Sequence, residues 1–547
     1  MSKLSPADYQ SVHQCFAAAA AAFPDRPFLN ILPETASVYG IDAGEISYGD
    51  MNGRVEQRRD AYRAAGFGPG LRVGLLLENR PAFFEHWLAL NAEGVSVVPI
   101  NPDLRLAEQE YLICHSEMAL VVALPVRHEE LRKAASAAAH EVPVIGLDDA
   151  IPAATVEVAP WDGPMPRWEA ALLYTSGTTG LPKGCVLSNT YFLRSGIEYL
   201  GFSGYVAMTE EGERMLTPLP LFHMNAMAVS TMAMLMLGGC LTFLDRFHPR
   251  SWWASVRESR ATVVHYLGVM PAMLMSAPES PEDREHLVRF GFGAGVDRLL
   301  HAPFEERFGF PLIEAWGMTE TGNSGAIIAS HEPRHVGTNC FGRPGNNVLV
   351  HIVDDEGREV GVGQPGELLV RSAHADPRFG FFDRYLKNEE ATAEAWEGGW
   401  FHTGDIVSQN EDGTMVFVDR KKNVIRRSGE NIAAVEVEVA LNRHPAIQTA
   451  AVAAVPDPVR GDEVFGMIVL DEAAPADPAV LAEEITIWAL GQLAYYKPPG
   501  YIAFVKELPL TPTNKIKRGD LKEVVMTLFE GQNFHDVRHL KKRQGAK

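Results

Sequence analysis

Apolar residues in the first third of the chain fall into short continuous runs that alternate with stretches of helical spacing. Val73 to Leu77 is one such run, Pro81 to Leu90 follows with helical periodicity, and Val95 to Ile100 is again strand-like. Leu106 to His115 predicts a helix and Leu120 to Ala123 a strand. This alternation predicts βαβ units around a parallel sheet, where ligands sit at the carboxyl ends of the strands. Pro152 to Pro166, rich in Pro, Ala and Gly, predicts a surface connector. Beyond it, Ala171 to Tyr174 predicts a strand that runs straight into a Gly/Thr/Ser loop.

From Arg343 to Arg371 the pattern changes to short apolar runs between turns such as Gly342 to Gly345 and Asp354 to Gly357, which predicts a small antiparallel β region. The charged segment Asp419-Arg420-Lys421-Lys422-Asn423 then separates this bulk from a last stretch. There, Val435 to Leu441 and Leu481 to Leu493 predict helices. Thr449 to Val455, Val464 to Leu470 and Tyr501 to Val505 predict strands, which makes a compact α+β domain. The polar, basic Arg538 to Lys547 is expected to fray. The fold class expected is α/β: a large N-terminal domain of parallel and mixed sheets with helices and a small β region, then a smaller α+β C-terminal domain.

Two apolar stretches bear on targeting. Cys15 to Phe23 is Ala-rich, but Asp8 precedes it and Pro24-Asp25-Arg26-Pro27 follow, so a capped surface helix is expected rather than a signal peptide. Met224 to Leu244 has no charged residue and is long enough to span a bilayer. Asn225, Ser230 and Thr231 interrupt it and Gly238-Gly239 break it, which predicts a buried helix, a glycine turn and a core strand. No stable membrane insertion is expected.

Length changes the picture little: 547 residues suggest three or four units of about 150 residues each. With 46% apolar and 22% charged residues, the chain is not disordered, collagenous or a disulfide framework. Lys plus Arg total 49 against 70 Asp plus Glu, a formal charge of −21, which argues against a nucleic-acid partner. The five cysteines lie far apart with no CxxC pair, which predicts a reducing, cytoplasmic setting and no zinc site.

The chemistry concentrates in Tyr174-Thr175-Ser176-Gly177-Thr178-Thr179-Gly180-Leu181-Pro182-Lys183-Gly184. Its glycines allow close backbone approach to a ligand, and its hydroxyls, N–H groups and lysine can donate to phosphate oxygens in an anion nest. It is not the Walker loop, whose lysine directly follows the second glycine. This string resembles the signature of the adenylate-forming superfamily: acyl-CoA synthetases, peptide-synthetase adenylation domains and firefly-type luciferases. Five further segments resemble that family in order and spacing: Ala315 to Thr321 (AWGMTET), Trp400 to Asp405 (WFHTGD), Val418 to Lys422 (VDRKK), Ser428 to Ile432 (SGENI) and Pro512 to Ile516 (PTNKI).

The resemblance implies two-step chemistry with ATP, Mg²⁺ and coenzyme A. A carboxylic acid becomes acyl-AMP with release of pyrophosphate, and a thiol then displaces AMP. It implies that Thr175, Ser176, Gly177, Thr178, Thr179, Gly180 and Lys183 hold the triphosphate. Thr319 would contact the α-phosphate and Glu320 the metal. Gly293, Ala294, Ala315, Trp316, Gly317 and Met318 would flank the nucleotide, with Asp405 and Arg420 at the ribose. Lys515 would serve adenylation, and Ser428, Gly429 and Glu430 the CoA side. It further implies a large domain over 1–419, a hinge over 420–422 turning on Lys422, and a small mobile domain over 423–547. Asn514 departs from the Gly that the family usually has before the small-domain lysine, and Trp316 stands where many relatives have Tyr.

Pro218 to His223 looks like the acyl-CoA synthetase form, and amino-acid-activating domains place Asp where His223 stands. His223, placed with Lys515, Thr319 and Glu320 among the catalytic residues, would line the acyl pocket or the thiol tunnel. Asn225, Val269, Phe292, Gly295 and Trp316 would line the acid's pocket with it, which is mostly apolar. An acid–CoA ligase for a non-amino, aliphatic or aryl-aliphatic acid is expected, most like the carnitine/crotonobetaine-CoA branch in its later half. An acyl-AMP ligase loading a carrier protein is the alternative, ahead of a nucleotide-binding regulator and a luciferase-type oxygenase. The homodimer state is left open.

Overall fold

The computed structural model describes residues 4, 8–175, 181–209, 212–420, 424–471, 477–509 and 518–542. Packing divides the chain into two units, fewer than length alone suggests. Met1–Asn101, Ile113–Leu173 and Gly184–Asp419 form the larger; Pro102–Leu112, Tyr174–Lys183 and Arg420–Lys547 form the smaller.

An eight-stranded sheet runs in the order Ile327–Ile328, Leu312–Trp316, Phe290–Ala294, Val263–Leu267, Arg214–Thr217, Cys240–Phe243, Pro27–Ile31 and Gly44–Ser47. Its inner strands pair in parallel and its two edge strands antiparallel. A seven-stranded sheet runs Arg384–Tyr385, Lys183–Ser188, Glu169–Thr175, Ser96–Pro99, Arg72–Leu76, Leu120–Ala123 and Val144–Ile145. Arg72–Leu76 is buried at every position, which is why the run reads as continuously apolar after its arginine. Arg72 itself is satisfied by a forked bond to Glu169, at 2.6 and 2.8 Å.

Helices Val12–Ala22, Pro81–Ala92, Asn189–Gly201 and Thr231–Leu237 share one core with residues of both sheets. Pro81 starts its helix at a position that needs no N–H donor. Trp87 meets Phe192 at 5.5 Å and Phe84 meets Phe243 at 5.6 Å between ring centres. The uncharged Met224 to Leu244 resolves into a π-helix Asn225–Ser230, the helix Thr231–Leu237, a left-handed Gly238 and the strand Cys240–Phe243. Among the described residues no helix is long and apolar enough to cross a membrane. The expected β region is a five-stranded antiparallel sheet, Cys340–Gly342, Met415–Arg420, Phe401–Gln409, Gly366–Ser372 and Val348–Val353.

The smaller unit has a six-stranded sheet built on the hairpin Ile447–Asp457 and Gly461–Leu470. Helix Pro478–Gln492 begins at Asp477, whose side chain accepts from the N–H groups of Ala479 and Val480. The expectation that the chain frays from Arg538 is corrected as far as Lys542. His535–Asp536 adds a strand beside Tyr501–Phe504. Lys541 is buried and donates to Glu463, which also accepts from Arg427 at 2.8 Å. Lys541 and Arg427 thus share one buried acceptor, and Glu463 is too distant in sequence for the pattern to reveal the pair.

Candidate functional site

Of the phosphate-loop residues, Ser176 to Gly180 lie outside the described residues, as do Lys422 and Lys515. Thr175 and Lys183 end and begin neighbouring strands, so the loop joins two adjacent strands of the seven-stranded sheet. Its far limb is held by Tyr111, whose hydroxyl donates to the Pro182 carbonyl at 2.9 Å and whose ring meets Tyr174 edge-on at 6.4 Å.

The segment Ala315 to Thr321 leaves the carboxyl end of Leu312–Trp316 and closes into a turn, with Thr321 N and Gly322 N donating to the Met318 carbonyl. Two tyrosines that the sequence reading missed fix this turn. Tyr191 donates to the Thr319 carbonyl at 2.9 Å, and Tyr385 donates to Glu320 Oε1 at 2.9 Å. Burial, and then the Glu320 carboxylate, push the Tyr385 phenol above its usual range, so it remains a donor. Glu320 is 5% exposed. Among the described residues no three His, Cys, Asp or Glu side chains gather into a metal cage. One carboxylate suits Mg²⁺, which keeps its waters and takes few protein ligands beside phosphate oxygens. Glu320 would hold it, and the ion would neutralise phosphate charge when bound.

Trp316 Nε1 donates to Asp405 Oδ2 at 2.8 Å, so two residues from separate motifs meet directly. Gly293 and Ala294 end the neighbouring strand Phe290–Ala294, whose register pairs Gly293 with Glu314. Glu314 is a further residue the sequence reading passed over. Its two oxygens accept from Gly295 N and Val296 N, both at 2.9 Å, and Tyr266 donates to it at 3.2 Å. Burial raises its carboxyl above the usual carboxylate range. The signal available was a lone Glu inside an apolar strand. Gly268 allows this loop to pack: a Cβ there would lie 1.6 Å from the Gly295 carbonyl oxygen.

The expected acid-pocket residues are only partly gathered. Asn225 opens the π-helix, a form often found at functional sites. His265 links it to Phe292: His265 Nδ1 lies 2.9 Å from Asn225 Oδ1, and the His265 and Phe292 rings are 5.1 Å apart. The Tyr199 hydroxyl lies 2.9 Å from His265 Nε2, and His265 Nδ1 faces Asn225 Oδ1 and the Ser230 hydroxyl. Burial pushes His265 down to about 3, so it is neutral. His223 lies on the turn before the π-helix, its ring 4.6 Å from Phe222 and its backbone N–H donating to the Pro220 carbonyl. Val269 begins the helix Val269–Met275.

In the smaller unit, Ser428 and Gly429 form the two-residue turn between Val424–Arg427 and Glu430–Ala433. Both have positive φ, 51° and 89°, as a type I′ hairpin requires. Ser428 N donates to the Arg460 carbonyl at 2.8 Å. Arg420 ends the strand Met415–Arg420.

Known proteins match this arrangement over nearly its whole length. The chain is 31% identical over 525 residues to a sulfoacetate–CoA ligase of Cupriavidus necator, covering 94% of this chain and 98% of that one. It is 31% identical over 513 residues to a crotonobetaine/carnitine–CoA ligase of Citrobacter koseri, covering 89% and 96%. The fold matches an o-succinylbenzoate CoA synthetase double mutant from Bacillus subtilis with a TM-score of 0.78 and 23% identity, over 93% of this chain and 98% of that one. Residues 16–376 match the model of the AMP-binding enzymes and residues 436–515 that of the AMP-binding enzyme C-terminal domain, so the chain belongs to the AMP-binding enzyme family.

Proposed function

We propose that this chain is an AMP-forming acid–CoA ligase. A carboxylate oxygen of the acid attacks the α-phosphorus of ATP and pyrophosphate leaves. The thiol sulfur of CoA then attacks the acyl carbon, and AMP leaves. The observation that carries this reading is the match, over 94% and 89% of this chain, to two ligases named for CoA and for different acids. Those names also weigh against the carrier-loading alternative.

The first step brings two anions together, so positioning and positive charge do most of the catalysis. Thr319 and Glu320 are assigned to the α-phosphate and the magnesium ion on the motif resemblance, and the bonds from Tyr191 and Tyr385 that fix their turn are compatible with those roles. Asp405 is assigned to the ribose hydroxyls. Lys515 is assigned to the adenylation step, Lys422 to the hinge, and the Ser428–Gly429–Glu430 turn to the CoA side, on the motif resemblance. His223, Asn225, Val269, Phe292, Gly295 and Trp316 are assigned to the acid, taken to be a non-amino acid of aliphatic or aryl-aliphatic type. None of the five cysteines is in a disulfide, which supports a cytoplasmic setting. The homodimer belongs to the same proposal and is tested by light scattering.

Mass spectrometry of products decides the activity. Purified protein is given ATP, Mg²⁺ and CoA with aliphatic, branched, aryl and betaine acids. Acyl-CoA and AMP from one class are expected. Acyl-AMP that accumulates while CoA is ignored transfers the reading to a carrier-loading enzyme.

A further inference from the structure

The Trp316–Asp405 bond joins two sheets. Trp316 ends a parallel strand of the eight-stranded sheet, and Asp405 lies in Phe401–Gln409 of the antiparallel one. The residues are 7% and 3% exposed, so the bond is made away from water. A charge-assisted bond in such a place is stronger and more directional than one at the surface.

The backbone around Asp405 is specialised for aiming it. Register against Gly366–Ser372 slips between Glu367 and Leu369, opposite Ile406 and His402, which makes a bulge over residues 403 to 405. A bulge re-aims a side chain. Gly404 has φ of 68° and donates its N–H to Glu367 Oε1 at 3.1 Å. Asp405 N donates to Thr403 Oγ1 at 3.1 Å, and that hydroxyl donates to the Leu368 carbonyl at 2.6 Å. These bonds set where the carboxyl carbon sits. Rotation of the carboxylate about its own bond remains, and the indole N–H, a donor with one fixed direction, restricts it.

We infer that Trp316 is a positioning residue for the nucleotide's ribose: it presets the plane of the Asp405 carboxylate, so preference for ribonucleotide over deoxyribonucleotide depends on the indole N–H as well as on the carboxylate. The inference rests on Asp405 as the ribose acceptor, and the test separates the two.

Binding of AMP, 2′-deoxy-AMP and 3′-deoxy-AMP to the full chain is measured by calorimetry for wild type, Asp405→Ala and Trp316→Phe. Kinetics of pyrophosphate release with ATP and 2′-deoxy-ATP are read beside it. Wild type should favour AMP by about tenfold or more, and Asp405→Ala should erase the preference. A preference that survives Asp405→Ala overturns the ribose assignment itself. If Asp405→Ala behaves as expected, Trp316→Phe should cut the preference by about tenfold, raise KM for ATP more than it lowers kcat, and do nothing further in the Asp405→Ala background. Equal weakening of AMP and its deoxy analogues by Trp316→Phe shows a ring-face role only and overturns the inference. Should Trp316→Phe fail to fold, benzothienylalanine at 316 keeps the ring shape, lacks the N–H and is read on the same ratio.

Discussion

The phenol of Tyr385 donates to Glu320 Oε1 at 2.9 Å from a strand of two residues at the edge of the seven-stranded sheet. The carboxylate assigned to magnesium is therefore held by a residue from outside its own motif. Tyr385→Phe removes that donor and leaves the ring. Pyrophosphate release should fall about tenfold or more at limiting Mg²⁺, since a hydrogen bond to a charged group is worth about 1.5–3 kcal/mol. Recovery at high Mg²⁺ is expected, and an unchanged magnesium titration would count against the assignment.

Glu314 holds the loop after Phe290–Ala294 through the N–H groups of Gly295 and Val296. Glu314→Gln keeps one acceptor oxygen and leaves a buried N–H without its partner. Urea unfolding should show a loss of about 1–3 kcal/mol at neutral pH. The sign with pH follows from its raised carboxyl. The native state holds that proton more tightly than the unfolded state, so this group's contribution falls as pH rises from the ordinary carboxylate value through the raised one. Glu314→Gln should flatten that part of the stability curve.

Lys541 behaves in the opposite sense. Burial first, and then the Arg427 guanidinium, push its ammonium down to about 7 from 10.5. Between those values the unfolded chain binds a proton that the native chain does not, so stability rises with pH across that window, by about 1.4 kcal/mol per unit at most. Calorimetric melts from pH 7 to pH 10 should show the rise in wild type. Lys541→Met should lose it, with the Arg427–Glu463 bond at 2.8 Å left to hold Glu463.

Lys515 and Lys422 are assigned on motif resemblance, and half-reactions test them. Lys515→Ala should cut acyl-AMP formation on the order of 10²-fold while sparing thioester formation from supplied acyl-AMP. Lys422→Pro should impair the thioester step more than adenylation, because it stiffens the proposed hinge. Equal losses in both half-reactions would remove the hinge assignment.

Much of the fold was legible because parallel strands buried on both faces leave continuous apolar runs, as in Val73 to Leu77, and because turns carry their own chemistry, as at Ser428-Gly429. The motif segments were recognised through their resemblance to the adenylate-forming family, and the roles given to their residues remain proposals. What stayed hidden depends on pairing across distant segments. Nothing near Tyr385 announces Glu320, nothing near Lys541 announces Glu463, and the need for Gly268 comes from the carbonyl of Gly295. The Asn225–His265–Tyr199 chain likewise joins three separate elements, each of which reads alone as a polar residue on an apolar stretch.

The two-residue strand Arg384–Tyr385 pairs with Val186 and Cys185, far earlier in the chain. During synthesis the Lys183–Ser188 edge must therefore wait, its backbone open to foreign strands, until residue 385 has left the ribosome. The same arrival brings the Tyr385 hydroxyl to Glu320. Closing the sheet and fixing the Glu320 carboxylate are therefore one event: a chain that has not sealed this edge also lacks the Tyr385 donor to the carboxylate proposed for magnesium.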